Sequence, residues 1–302
     1  MRIVFFGTPD LAIPSLEAIA RRHEVVAVVC RPDSPRGRGR KVASPPVKGK
    51  ARELGTPVHQ PEKLHDGAFE TWLREQRPDL CVVVAYGRIL KQPILDVPKC
   101  GFLNLHPSLL PLYRGPSPIQ AAILNGDAKT GVSFIKLILE MDAGDILLQE
   151  ELPILPQDTT ASLSQRLGQI GAELFPEALE LVETGRAVFT PQDHSKATYC
   201  KLFEKEDGQI DWTKPARAIH NLVRAAIPWP IAHSPLKGEV LLIYESQTLD
   251  EDTQQPPGTI IQIDRDRICV ATGEGVLAVR RLQAPGRRVL PAAEFLRGHP
   301  LS

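Results

Sequence analysis

Ile3-Val4-Phe5-Phe6, then Pro9–Arg22, then Val25-Val26-Ala27-Val28-Val29, open the chain as an apolar run, a segment with helical spacing and a second apolar run. The two runs are short and apolar at nearly every position. That pattern fits strands buried on both faces of a parallel sheet, not strands with one face in water. Leu80–Val84 and Phe102–Leu105 repeat the strand type, while Pro46–Leu54 and Ala68–Gln76 repeat the helical spacing. A longer amphipathic segment follows at Ser162–Glu183. Strand–helix alternation builds right-handed βαβ units. The expected class is therefore α/β, with a Rossmann-like, doubly wound, mostly parallel sheet over residues 1–185.

Beyond that point the pattern changes. Residues 186–208 are polar and read as a linker. A helix candidate at Pro215–Ala225 leads into Ile227-Pro228-Trp229-Pro230, where Trp229 is expected to pack in the core. Val240–Tyr244, Gly258–Ile263, Ile268–Ala271 and Val276–Leu282 are short strand candidates, separated by turn residues such as Gly273-Glu274-Gly275. Closely spaced short strands predict a smaller C-terminal β-barrel, OB-like, over residues 209–302.

Bulk composition narrows the class of protein. The chain is 42% hydrophobic and 24% charged with a formal net charge of zero. Those values allow a sizeable core and supply no global pull toward nucleic acid or membrane. Cys30, Cys81, Cys100, Cys200 and Cys269 are scattered without a C-x-x-C pair, against a disulfide framework and against a structural zinc site. No stretch nears the roughly 20 apolar residues of a membrane span. The apolar run at the N-terminus is too short for a signal peptide. A cytoplasmic protein with no membrane partner is expected, as a monomer.

The candidate chemistry follows the fourth strand run. In an open parallel sheet, ligands bind at the carboxyl ends of strands, which is where Asn104-Leu105-His106-Pro107 falls. Residues two apart on a strand project to one face, so Asn104 and His106 stand side by side. An amide beside an imidazole can surround a carbonyl oxygen that turns negative in a tetrahedral intermediate. A second polar cluster, Met141-Asp142-Ala143-Gly144-Asp145, places Asp142 where it can orient the His106 ring, with Gly144 read as a tight turn. No G-x-S-x-G elbow and no H-x-x-x-H spacing are present, which leaves acyl-type transfer without a metal. Gly7-Thr8-Pro9-Asp10 lacks the G-x-G-x-x-G fingerprint and argues against a nicotinamide enzyme.

These segments resemble the folate-dependent formyltransferase family. Asn104 to Pro111 with Arg114-Gly115 matches the central signature of that family, and Asp142-Ala143-Gly144-Asp145 matches its second motif. The resemblance runs from Gly7-Thr8-Pro9-Asp10 through the C-terminal region. It implies Asn104, His106 and Asp142 as the catalytic residues. It implies Ser108, Leu109, Leu110 and Pro111 as the lining of the folate site, with 10-formyltetrahydrofolate as formyl donor and no metal.

Membership leaves the acceptor open among charged tRNA, a ribonucleotide and an amino sugar. Arg31 to Arg52 holds eight basic residues against one acid, Asp33. Its tip contains Arg36, Arg38, Arg40 and Lys41, a cationic stretch suited to phosphates and unstacked bases. A Gly-Arg-Gly loop after the second strand resembles the family's insertion at the acceptor end of tRNA. Initiator methionyl-tRNA is thus the expected acceptor and N-formylmethionyl-tRNA the product. Arg280, Arg281, Arg287, Arg288 and Arg297, and Lys196, Lys201 and Lys205, are further candidate contacts. The rivals are a nucleotide-sugar formyltransferase and a catalytically silent tRNA-binding protein.

Overall fold

A computed structural model describes residues 1–36, 41–236, 238–263 and 266–298. The first part of the chain runs β1 (Arg2–Gly7), α1 (Ile13–Ala20), β2 (Glu24–Val29), β3 (Ser34–Arg36), β4 (Lys41–Ala43), α2 (Pro46–Glu53), β5 (Val58–His59), α3 (Ala68–Gln76), β6 (Leu80–Val84) and α4 (Gln92–Leu95). It continues with β7 (Phe102–His106), α5 (Pro118–Leu124), β8 (Lys129–Lys136), β9 (Ile146–Pro153) and α6 (Thr160–Glu183). The chain divides into two compact units. One comprises Met1–Pro118, Lys129–Pro153 and Ser164–Lys201; the other comprises Ile119–Ala128, Ile154–Leu163 and Leu202–Ser302.

In the first unit a seven-stranded sheet has the order β5-β2-β1-β6-β7-β8-β9. Its pairs are parallel from β5 to β7 and antiparallel at β7–β8 and β8–β9. The order doubles back at β1, as a doubly wound sheet must. Ile3, Val4, Phe5 and Phe6 are all fully buried, so the continuous apolar run does reflect burial on both faces. Phe6 meets Phe69, Tyr86 and Phe102 on one side of the sheet, and Phe134 meets Phe175 edge-on at 4.8 Å. Packing of this density fixes β7, which carries Asn104 and His106 at its end.

The second unit contains α7 (Ala216–Ala225), β10 (Ala232–Leu236), β11 (Glu239–Leu249), β12 (Ile260–Ile263), β13 (Ile268–Ala271), β14 (Val276–Gln283), β15 (Leu290–Pro291) and α8 (Ala292–Gly298). The strands form an antiparallel sheet ordered β10-β11-β14-β13-β12, with β15 on β14. Ile219 and Val223 of α7 join Ile243, Leu277, Val279 and Phe295 in its core. Trp229 departs from expectation: it is 56% exposed. It sits in the turn after α7, between Pro228 and Pro230, where no helical face directs an apolar side chain inward. Among the described residues no helix is long and apolar enough to cross a membrane.

Candidate active site

Asn104 and His106 lie on adjacent same-side positions of β7, opposite Ile135 and Ser133 of β8. They are 7% and 5% exposed. The Asn104 amide makes no hydrogen bond among the described residues. Its polar atoms are not among the sealed, unsatisfied ones of the interior, so the amide is free to donate to a ligand that enters the strand end. His106 is fully engaged by contrast. Its Nε2–H donates to the Tyr113 carbonyl at 3.0 Å, and its Nδ1 faces Asp142 Oδ2 at 3.6 Å. The anticipated Asp142–His106 pairing is therefore a contact longer than a hydrogen bond, while the direct hydrogen bond that orients the ring is the one His106 Nε2–H donates to the Tyr113 carbonyl. Both ring nitrogens face oxygen acceptors.

The loops that carry these acceptors are held in uncommon conformations. Tyr113 has φ +59° and Asp142 has φ +50°, left-handed values that a non-glycine residue keeps only when its surroundings impose them. Asp142 Oδ2 accepts from the Gly115 N–H at 2.8 Å. Gly115 has φ +122°, and a Cβ there would run into the Cys200 carbonyl. Gly144 was read as the turn residue, yet the left-handed residue is Asp142; Gly144 has no side chain because the Lys136 carbonyl occupies that space. Cys200 lies beside this loop, its Sγ 3.6 Å from the Tyr113 carbonyl oxygen, and burial pushes its thiol up, away from the reactive thiolate.

The segment expected to line the folate site is pinned from behind. Ser133 Oγ donates to the Ser108 carbonyl at 2.6 Å and accepts from the Leu110 N–H at 3.1 Å. Gln149 Nε2 donates to the Leu110 carbonyl at 2.8 Å. Ser108 itself is fully buried, with its hydroxyl donated to the Leu112 carbonyl, and Leu110 is buried too. Leu109 and Pro111 are the half-buried members of the segment. Among the described residues no group of side chains is placed to hold a metal ion.

The basic stretch forms a hairpin in which β3 pairs antiparallel with β4. Arg38 and Arg40 lie outside the described residues, and of Arg36 and Lys41 only the backbone is described. At the stem, Asp33 accepts from Lys48 and Gln60 at 2.8 Å and from Ser44 at 3.0 Å; the Gln60 bond first, then Lys48, lowers its carboxyl to about 2. Lys50 pairs with Glu17 and Glu53. The charges of Lys48 and Lys50 are thus matched by acids within the unit. Outside the hairpin, Lys196 pairs with Asp193, Arg280 with Asp266, and Arg288 with Glu294.

Sequence reading did not reach Tyr113, Ser133, Gln149 or Gln192. Each acts through a backbone carbonyl or amide, and no residue-type pattern marks such a contact.

Solved structures share this architecture. HypX from Aquifex aeolicus in complex with tetrahydrofolic acid matches with a TM-score of 0.66 at 22% identity, over 98% of this chain and 47% of that one. The chain thus spans about half the length of HypX. WlaRD, a sugar 3N-formyl transferase, matches with a TM-score of 0.69 at 18% identity, over 95% of this chain and 99% of that one. In sequence, the methionyl-tRNA formyltransferase of Moorella thermoacetica is 45% identical over all of this chain and 97% of its own. That of Stenotrophomonas maltophilia is 46% identical over 98% and 97%. Residues 1–179 match the formyl transferase model and residues 203–300 match the formyl transferase C-terminal domain, so the chain belongs to the formyl transferase family.

Proposed function

We propose that this chain transfers the formyl group of 10-formyltetrahydrofolate to the free α-amine of initiator methionyl-tRNA, giving N-formylmethionyl-tRNA for translation initiation in the cytoplasm. The observation that carries the chemistry is the unpartnered amide of Asn104 beside a fully engaged His106. The full-length likeness to methionyl-tRNA formyltransferases carries the acceptor.

The reaction exchanges one C–N bond for another. The methionyl nitrogen attacks the formyl carbon, the carbonyl oxygen gains charge, and the bond to the folate nitrogen breaks. Asn104 donates to that oxygen from a water-poor position, where a preorganised donor has its greatest effect. The His106 ring, held between the Tyr113 carbonyl and the Asp142 carboxylate, stands beside that oxygen and fixes the polar wall of the site. Asp142 accepts the proton that the attacking nitrogen releases and passes it, through water, to the departing folate nitrogen. The Ser108–Pro111 backbone, held by Ser133 and Gln149, offers a rigid edge for the folate ring, with Leu109 and Pro111 as the accessible side chains.

In this proposal residues 1–185 carry catalysis with the Gln192 stretch packed against them, the remainder of 186–208 leads on to residues 209–302, and that last part contacts the tRNA together with Arg36, Arg38, Arg40 and Lys41. The test is formyl transfer to charged tRNA by wild type and Asn104→Ala. Transfer that depends on the formyl donor and drops in the variant supports the proposal. Tight tRNA binding without donor consumption would identify a binding protein instead.

A further inference from the structure

Behind Asp142 lies a buried polar cluster that touches no reacting atom. Gln192 is 5% exposed, and its Nε2 donates to the carbonyls of Asp142 and Gly144, each at 2.7 Å. Its Oε1 accepts from Arg114 Nε at 3.2 Å and Arg114 Nη2 at 2.8 Å. Arg114 is 1% exposed and is braced in turn: Nη2 donates to His194 Nδ1 at 3.2 Å, Nη1 reaches the Tyr199 hydroxyl at 3.4 Å, and Glu140 stands 3.6 Å away.

A guanidinium has donors only, so it fixes which way round the glutamine amide sits. The oxygen must face Arg114, and the nitrogen is left to face the two carbonyls. Those carbonyls bracket the Asp142–Gly144 turn, and Asp142 keeps its left-handed φ of +50° in this clamp. The same residue presents Oδ2 to His106 and to the Gly115 N–H. We propose that Gln192, oriented by Arg114, is the positioning residue that sets where the Asp142 carboxylate stands for proton transfer. The inference rests on the reading of Asp142 as a catalytic residue.

Gln192→Glu is the informative substitution. It keeps the shape and gives Arg114 an anion, but turns an acceptor toward two carbonyls. A misplacement of about 1 Å at a reacting group costs on the order of 100-fold in rate. We expect that loss in kcat, with both Michaelis constants within about threefold of wild type because uniform binding is untouched. Tyr199→Phe, which removes one brace of Arg114 without altering the amide, should give a smaller loss of the same kind.

The decisive measurement is a double-mutant cycle with Asp142→Asn. Groups that act as a unit are not additive, so Gln192→Glu should cost less than about threefold in that background. A full additional loss there, or an effect confined to Michaelis constants, overturns the positioning role. Should Gln192→Glu fail to fold, the same cycle run with Tyr199→Phe decides the matter by the same criterion. Wild-type turnover in Asp142→Asn alone would instead overturn the reading of the site.

Discussion

Gly144→Ala should damage turnover far more than a single methyl group normally does. The new Cβ would lie 2.9 Å from the Lys136 carbonyl carbon and closer still to its oxygen, whereas ordinary contact begins near 3.4 Å. Backbone blocks the space, so no side chain can swing away and the loop must part from β8 by more than about 1 Å. Overpacking of this kind costs about 1–3 kcal/mol. For a domain of this size that lowers Tm by roughly 2–10 °C. The Gly144 carbonyl shares its Gln192 donor with Asp142, so displacement is passed to the carboxylate, and kcat should fall by on the order of 100-fold. Gly49→Ala is the control. Gly49 lies in α2 with open space around its Cβ position, so alanine should stabilise by up to about 1 kcal/mol and leave kcat alone. The assays are thermal unfolding and steady-state formylation for both variants. A Gly144→Ala enzyme with wild-type kcat would refute the coupling of this turn to catalysis.

Asn104→Ala and His106→Ala should each lose on the order of 100- to 1,000-fold in kcat while circular dichroism shows a folded protein, and near-normal turnover in either would remove it from the oxyanion site. Arg38→Ala should slow formylation of initiator tRNA without altering the Michaelis constant for folate. If the contact is to phosphate, the slope of log affinity against log salt should flatten by about one unit, and an unchanged slope with poorer choice of initiator over elongator tRNA points to base reading. Burial above all, and then Arg224 and Arg217, lower the His220 ring to about 4 from 6.5. The unfolded chain therefore binds this proton first, and stability present above pH 6.5 is lost as pH falls toward about 4. The loss is on the order of 2–3 kcal/mol. Chemical denaturation across that range should show a flatter fall for His220→Gln, and identical pH dependence in both proteins would contradict it.

The sheet was legible because its strands are buried on both faces: the runs at Ile3–Phe6 and Leu80–Val84 leave no room for another assignment. The end of β7 was legible for a similar reason, since two polar side chains that close a buried apolar strand stand out against it. What escaped was set by tertiary contacts. The Tyr113 carbonyl that orients His106 belongs to a backbone in a left-handed conformation that no residue-type rule assigns to tyrosine. Gly144 stands out in the sequence for conformational freedom, whereas close approach of the Lys136 carbonyl is what excludes a side chain there. Gln192 lay in a polar stretch read as a linker, and polarity there hid a side chain pulled into the interior by Arg114. Trp229 shows the converse error, an apolar residue type taken as proof of burial.

Offering the enzyme three acceptors with one donor tests the choice of acceptor. With 10-formyltetrahydrofolate present, initial rates of formyl transfer are measured to methionyl initiator tRNA, methionyl elongator tRNA and a nucleotide-linked amino sugar. Transfer to the initiator tRNA should be rapid, transfer to the elongator slower, and none should reach the sugar. Transfer to the amino sugar in preference to either tRNA would contradict the proposed acceptor.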